Sequence, residues 1–468
     1  MKYSKTTLRE LTAKYRSVLK KCALFNATFL MAMAVSLPTM ADTPFTGELT
    51  GDVTGMTDTG GTIDSPNTVY FVTKGTTGII GDDFTISGNT AASGVFQTSG
   101  SRSKLIVGKS TFTDNEAIYD GGAIASFGDL EIKGTTFTEN VAQTENANDT
   151  MPMGGGAIAL GAVSVTSIEN ATFTENESMY HGGAIATRVG AGYNNSSAKL
   201  DIIGNTTFTG NEALASGGAI YNGAYNDAAG SGSVNITDAT FTGNTAAIAG
   251  GAIYNSGEKD SNGSYGKMTI TNGTFVENEA ANGAAIYNQG ELTLVGGIIK
   301  DNTASEEGAI VVKGLTDGVE GDARAKLTID GVKFIGNHSE GQNAGEGGAL
   351  TILRGSDVEI TGATVFEGNT AAVAGGAIAT YATKASGYNT LKVTGTEETK
   401  ILFKENEGFS YGAVGLFSKA DFTHVDFEGN SSTATEAQGA DGGGAVLVGS
   451  ASKTTFNDVD FDGNTSAA

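Results

Sequence analysis

Phe241-Thr-Gly-Asn244, then Gly250-Gly-Ala-Ile253 and Tyr254-Asn255, is one copy of a unit that recurs along most of a 468-residue chain. The F-x-x-N element returns at Phe112, Phe137, Phe173, Phe208, Phe275, Phe334, Phe366, Phe403, Phe427 and Phe461, each with Asn three residues on. Ile86 and Ile299 take the Phe slot in two further copies, with Asn89 and Asn302. G-G-A-[ILV] follows most copies, starting at Gly121, Gly155, Gly182, Gly217, Gly250, Gly347, Gly375 and Gly443. Self-similarity at such a period means a repeat architecture, in which each unit buries its apolar face only against its neighbours.

Three short strand candidates fall in each unit. The first alternates apolar and polar residues, as in Val234-Asn-Ile236 and Leu327-Thr-Ile329. The second starts at the Phe, and the third is G-G-A-I with the residues after it. Period-two alternation between turn residues argues strand, not helix. Successive Phe slots are 24 to 37 residues apart, so the shortest spacing gives the bare coil and the longer ones carry inserted loops. These features predict an all-β chain folded as a parallel β-helix, a solenoid of three short strands per coil and roughly twelve coils. The handedness expected of parallel crossovers is right-handed.

The roles follow from position. Phe112, Phe173, Phe208, Phe241 and Phe275 should point inward and stack coil upon coil. Asn115, Asn176, Asn211, Asn244 and Asn278 suit a left-handed turn and can form a ladder of amide hydrogen bonds. The Gly pair permits a sharp bend. All of these are expected to be structural.

Outside the repeat, residues 1–41 carry seven basic residues against Glu10, an apolar run from Cys22 to Leu37, and small residues up to Ala41. That reads as a signal peptide directing export. Residues 42–64 read as a linker or N-terminal cap, and 65–468 as the β-helix domain. The chain stops just after Asn464 with no Gly-Gly strand behind it, so the domain is expected to lack its C-terminal end. Without the leader, the 28 basic and 52 acidic residues of the whole fall to 21 and 51, a net of −30. Such a charge argues against nucleic acid as a partner. The single cysteine, Cys22, lies in the leader, so no disulfide framework is expected beyond it.

The sequence carries few residues in catalytic or metal-binding arrangements. His181, His338 and His424 sit in different units, with no cysteine or second histidine at ligand spacing, so no metal or other cofactor is expected. Asp114, Glu139, Glu175, Glu277, Asp301 and Glu405 precede the Asn in a repeating slot and read as a solvated face. No catalytic residues are expected, and the chain is read as a binding protein and not an enzyme. The residues that vary between copies are more informative. Tyr221, Tyr254 and Tyr287 hold one position in three successive units and should form an exposed outward stack. Long loops beside them, rich in Tyr, Asn, Ser and Gly, contain Tyr193, Tyr225 and Tyr265. That is the composition of recognition loops. These six tyrosines are the candidate binding edge, for a glycan or for a protein on a host or neighbouring cell.

F-x-x-N alternating with G-G-A-[ILV] behind a signal sequence resembles the repeats of the chlamydial polymorphic outer-membrane proteins, and more broadly the passenger domains of autotransporters. The resemblance covers about residues 84–464. It implies display on the surface of a Gram-negative bacterium, or secretion, and an adhesin-like role. It also implies a C-terminal translocation barrel, whose amphipathic strands this sequence does not contain. Two other readings stay open: a β-helical polysaccharide-degrading enzyme or tailspike-like glycan binder, and a purely structural surface spacer.

Overall fold

The computed structural model describes residues 70–98, 102–143, 154–161, 164–189, 198–224, 233–257, 266–314, 324–341, 346–381, 389–434, 442–449 and 452–467. It also describes four two-residue strands, Thr43–Pro44, Gly47–Glu48, Val53–Thr54 and Thr57–Asp58. The proposed leader lies outside the described residues. Among the described residues there is no helix. The strands form three sheets, of 26, 14 and 14 strands, and every pairing is parallel, so the chain is a parallel β-helix.

One coil shows the plan. Ser233–Thr237 and Thr240–Thr242 lie end to end in the 26-stranded sheet, here called the Phe sheet. Thr245–Ala249 belongs to a second sheet, the short sheet. Ile253–Asn255 belongs to the third, the Gly-Gly-Ala sheet. The first two expected strands therefore share a sheet, and the third side of the coil is built by residues just after the Asn. Several of these segments, such as Val141–Ala142 and His338–Ser339, lie outside the three strand candidates of the sequence. Fourteen strands in each smaller sheet mean fourteen coils, more than the twelve or so expected. The strands between Thr43 and Asp58 supply a coil that has no F-x-x-N: they pair with Tyr70–Val72, Thr77–Ile80, Thr85–Ser87 and Thr90–Ser93.

Register follows the motif. Phe173, Phe208, Phe241 and Phe275 are direct partners in successive coils. Their rings stack 4.7–4.8 Å apart with planes within 3–4° of parallel. All are buried, in a single core that runs through the coils from Val72 to Ala445. Burying each such side chain contributes roughly 1.5–3 kcal/mol. The column is interrupted at Ile299, between Phe275 and Phe334. There the smaller side chain leaves an apolar cavity of about 10 Å³, lined by Ile270, Phe275, Leu294, Ile299 and Val332 among others.

The asparagines form the expected ladder, by a different local geometry. The left-handed turn belongs to the residue before the Asn. In all thirteen copies that residue has positive φ: Asp114, Glu139, Glu175, Glu277, Asp301 and Glu405 at 52–54°, and glycine in the other seven. The turn aims the Asn inward, where Asn115, Asn176, Asn211, Asn244 and Asn278 are fully buried. Asn244 Nδ2 donates to Asn278 Oδ1 at 3.0 Å and to the Phe208 carbonyl at 3.0 Å. Asn244 Oδ1 accepts from Asn211 Nδ2 at 2.9 Å and from the Asn211 backbone N–H at 3.0 Å. The pattern continues from Asn89 to Asn464. Each amide satisfies its neighbours, so a row of polar groups crosses the core without an orphan.

The Gly pair acts at two levels. Gly182, Gly217 and Gly250 have φ of 64–71° and make the bend. The second glycine meets the next coil: a Cβ at Gly218 would lie 2.0 Å from the Gly251 carbonyl oxygen. Only a residue without a side chain fits so close an approach.

Candidate functional site: the outer face of the Gly-Gly-Ala sheet

In this sheet the residue after the core Ile points outward and the next points inward. The inward position makes a second buried ladder. Thr187 Oγ1 donates to Asn222 Oδ1, Asn222 Nδ2 to Asn255 Oδ1, and Asn255 Nδ2 to Asn288 Oδ1, each at 2.8 Å. These bonds hold the backbone beneath the outward residues in strict register.

The outward position carries Tyr221, Tyr254 and Tyr287, paired directly across coils. Their rings stack at 5.1 and 5.3 Å with planes 15° and 6° apart. His181 extends the column, stacked on Tyr221 at 4.0 Å, and Tyr180 packs edge-on against His181 at 4.1 Å. The stack is real, but it is less exposed than expected. Tyr221 and Tyr254 are half-buried, and Tyr287 retains 7 % of its surface. The cause is a second apolar cluster outside the coil, formed by Ala249, Tyr287, Val311 and Leu353 with Tyr254 against it. Because the rings stack on one another, their faces are occupied. What they offer outward is ring edges and hydroxyls, and the Tyr254 hydroxyl already donates to Gln289 Oε1 at 2.7 Å.

Burial sets the electrostatics. Desolvation pushes the Tyr287 phenol well above its ordinary range, with Tyr254 and Glu307 adding to it and Arg354 opposing. Desolvation also raises the Glu307 carboxyl, opposed by Lys313 and Arg354 and reinforced by Glu306. The His181 imidazole is lowered to about 4 by burial, against a hydrogen bond to the Ser216 backbone, so it is neutral at physiological pH.

Beside the stack, across the Gly-Gly bend, three apolar side chains from successive coils are exposed: Tyr180 at 39 %, Leu214 at 47 % and Ile248 at 56 %. The Leu214 N–H donates to Ser178 O and the Ile248 N–H to Ala215 O, which fixes this ridge to the ordered coils. Neither Leu214 nor Ile248 stands out in the sequence, because their segments show no alternation. Their signal is position: both lie between the Asn and the Gly pair, on coils that also carry the Tyr stack. Tyr193, Tyr225 and Tyr265 lie outside the described residues.

The other candidates are scattered. His338 Nδ1 lies 2.6 Å from Thr370 Oγ1, and His424 Nδ1 2.6 Å from Asp458 Oδ2. Among the described residues no three His, Cys, Asp or Glu side chains are placed to hold a metal ion. The six acids of the F-x-x-N slot serve as the left-handed turn residue, one to a coil.

No curated protein and no solved structure matches the chain. A family match does appear, and it falls on the motif: residues 205–223, 238–256 and 363–381 each match the Chlamydia polymorphic membrane protein repeat. The first two of these segments carry the Phe208 and Phe241 units together with Tyr221 and Tyr254 of the stack. Coils of this parallel β-helix built on F-x-x-N and G-G-A-[ILV] thus match, at three positions, the Chlamydia polymorphic membrane protein repeat.

Proposed function

We propose that this chain is a surface-displayed binding protein of adhesin-like character. Its β-helix acts as a rigid support, and the outer face of the Gly-Gly-Ala sheet meets a glycan or a protein on another cell. The observation that carries the reading is the convergence, on coils 180–289, of the Tyr221–Tyr254–Tyr287 stack with the exposed ridge of Tyr180, Leu214 and Ile248. Exposed apolar side chains that line up across ordered coils are the usual mark of an interaction surface. Tyrosines fixed by stacking lose little entropy on binding. The repeat family supports placement at the outer membrane or cell surface.

The test is a glycan array and a cell-binding assay with the purified chain. Joint replacement of Tyr193, Tyr225 and Tyr265 by alanine is expected to remove most of the binding. Undiminished binding by that variant would discard the loops as the contact edge. Absence of any ligand on either assay would favour a structural spacer.

A further inference from the structure

A second face of the coil shows a regularity that the fold does not require. Thr-Phe-Thr recurs at 111–113, 136–138, 172–174, 207–209 and 240–242, in five successive coils. The Phe points inward, so both threonines point outward, and like pairs with like: Thr136 with Thr172, Thr138 with Thr174, and onward. The result is a strip two threonines wide and five long. Its spacing is set by the stack, 4.8–5.0 Å between coils over Phe112 to Phe241. Along each strand, two residues span about 6.7 Å. The underlying rings lie within 3–5° of parallel from Phe137 to Phe241, so the strip is flat over these four coils, and it turns by 17° between Phe112 and Phe137.

Two observations separate this strip from ordinary strand composition. The same outward slots hold Ile298, Lys333, Val365 and Leu402 before the Phe position in later coils, and Lys300, Ile335, Glu367 and Lys404 after it. The sheet thus accepts bulky and charged residues there; the coils on either side keep only the first threonine, as Thr85 and Thr274, and threonine on both sides of the Phe is a feature of these five coils alone. Further, none of the ten hydroxyls takes a hydrogen bond within the described residues. Nearby inward threonines do: Thr135 Oγ1 donates to Gly108 O at 2.7 Å, and Thr364 Oγ1 to Thr361 O at 2.7 Å.

We propose that this strip is a face that binds ordered water, the surface of ice. A flat lattice of hydroxyls and methyls repeats on spacings close to those of oxygen rows in hexagonal ice. β-Branched side chains hold few rotamers, so the lattice is organised before contact and little entropy is lost on docking. Each hydroxyl contact is weak; the sum matters only while register holds, and the stacked coils hold it. The strip has no aromatic ring, which a crystalline polysaccharide surface would call for, and no charged residue, which a mineral surface would call for.

The test uses nanolitre osmometry and ice-recrystallisation assays on the purified chain. Wild type is expected to facet ice crystals and hold them from growing over a measurable undercooling. Thr207→Lys and Thr174→Lys place, at the strip's centre, a residue the same slots accept in other coils. Each is expected to lose most of that activity while keeping its circular dichroism and melting temperature. Val365→Lys, outside the strip, is expected to retain it. A wild-type protein that neither facets ice nor delays its growth would overturn the proposal, as would a folded Thr207→Lys with full activity. Retention of wild type but not Thr207→Lys on microcrystalline cellulose, without effect on ice, would reassign the strip to a polysaccharide and overturn it equally.

Discussion

Replacing Asn244 by alanine examines the buried amide ladder where it is most regular. The substitution removes four hydrogen bonds of 2.9–3.0 Å. It leaves two donors with no acceptor in a fully buried place: the Asn211 backbone N–H and one Asn211 Nδ2 hydrogen. A buried unsatisfied donor costs about 1–3 kcal/mol, so two give a loss of about 4 kcal/mol. That is a large part of a typical stability of roughly 5–15 kcal/mol. The chain has no tryptophan, so urea unfolding is followed by tyrosine fluorescence and by the β-sheet circular dichroism signal. Coincidence of the two curves licenses a single free energy, a point to check because repeat arrays can unfold in parts. Asn244→Asp sharpens the test. It keeps the acceptor and loses the donor, setting an oxygen against Phe208 O and Asn278 Oδ1. Its carboxyl, buried among acceptors, must titrate above the ordinary range. The native state then holds the proton more tightly than the unfolded state, so this variant gains stability as pH falls and loses it as pH rises. A loss below about 1 kcal/mol for Asn244→Ala would mean that the ladder bonds are worth no more than bonds to water, and the reasoning would fail.

Three further outcomes are expected. Glu139→Gly relieves a non-glycine residue at φ 53° and should be neutral or stabilising by up to about 1 kcal/mol in thermal melts; a clear loss would show that the side chain itself matters. Ile299→Phe fills the cavity beside Phe275 and should raise the melting temperature; a loss of about 1–3 kcal/mol in urea titration would show the space too tight for the ring and refute the expectation. His181 is neutral when folded, with its pKa lowered to about 4. The unfolded chain binds a proton there more readily, so this contribution to stability is complete above about pH 6.5 and is lost as pH falls towards 4. His181→Phe should flatten that part of the stability–pH curve.

Much of this was readable from the chain because period and residue type agree. Phe and Asn recur at fixed separation, and each wants the place it occupies, one in a stacked apolar column and the other in a row of paired amides. Even Ile86 and Ile299 are legible, since their slots are marked by Asn89 and Asn302. The short sheet is not legible: Val141–Ala142 and Glu177–Ser178 are two residues long, too short for alternation to show. The left-handed position is also hidden. Among residues other than glycine, Asn takes positive φ most readily, yet here Glu139 and Asp114 take it, because the Asn is needed inside. In the candidate site, alternation places Tyr287 outward correctly. Its burial depends on Val311 and Leu353 in later coils, at distances along the chain that no local pattern spans.

On the proposed function, the motif builds the coil and binding belongs to what the coil carries outside. The most direct measurement is ligand binding and melting, side by side, for a chain with Tyr180, Leu214 and Ile248 all changed to serine. The expected result is lost binding to the cell or glycan that wild type recognises, with the melting temperature nearly unchanged, since these side chains are already exposed to water. Full binding by this variant, or loss of binding only together with unfolding, would contradict it.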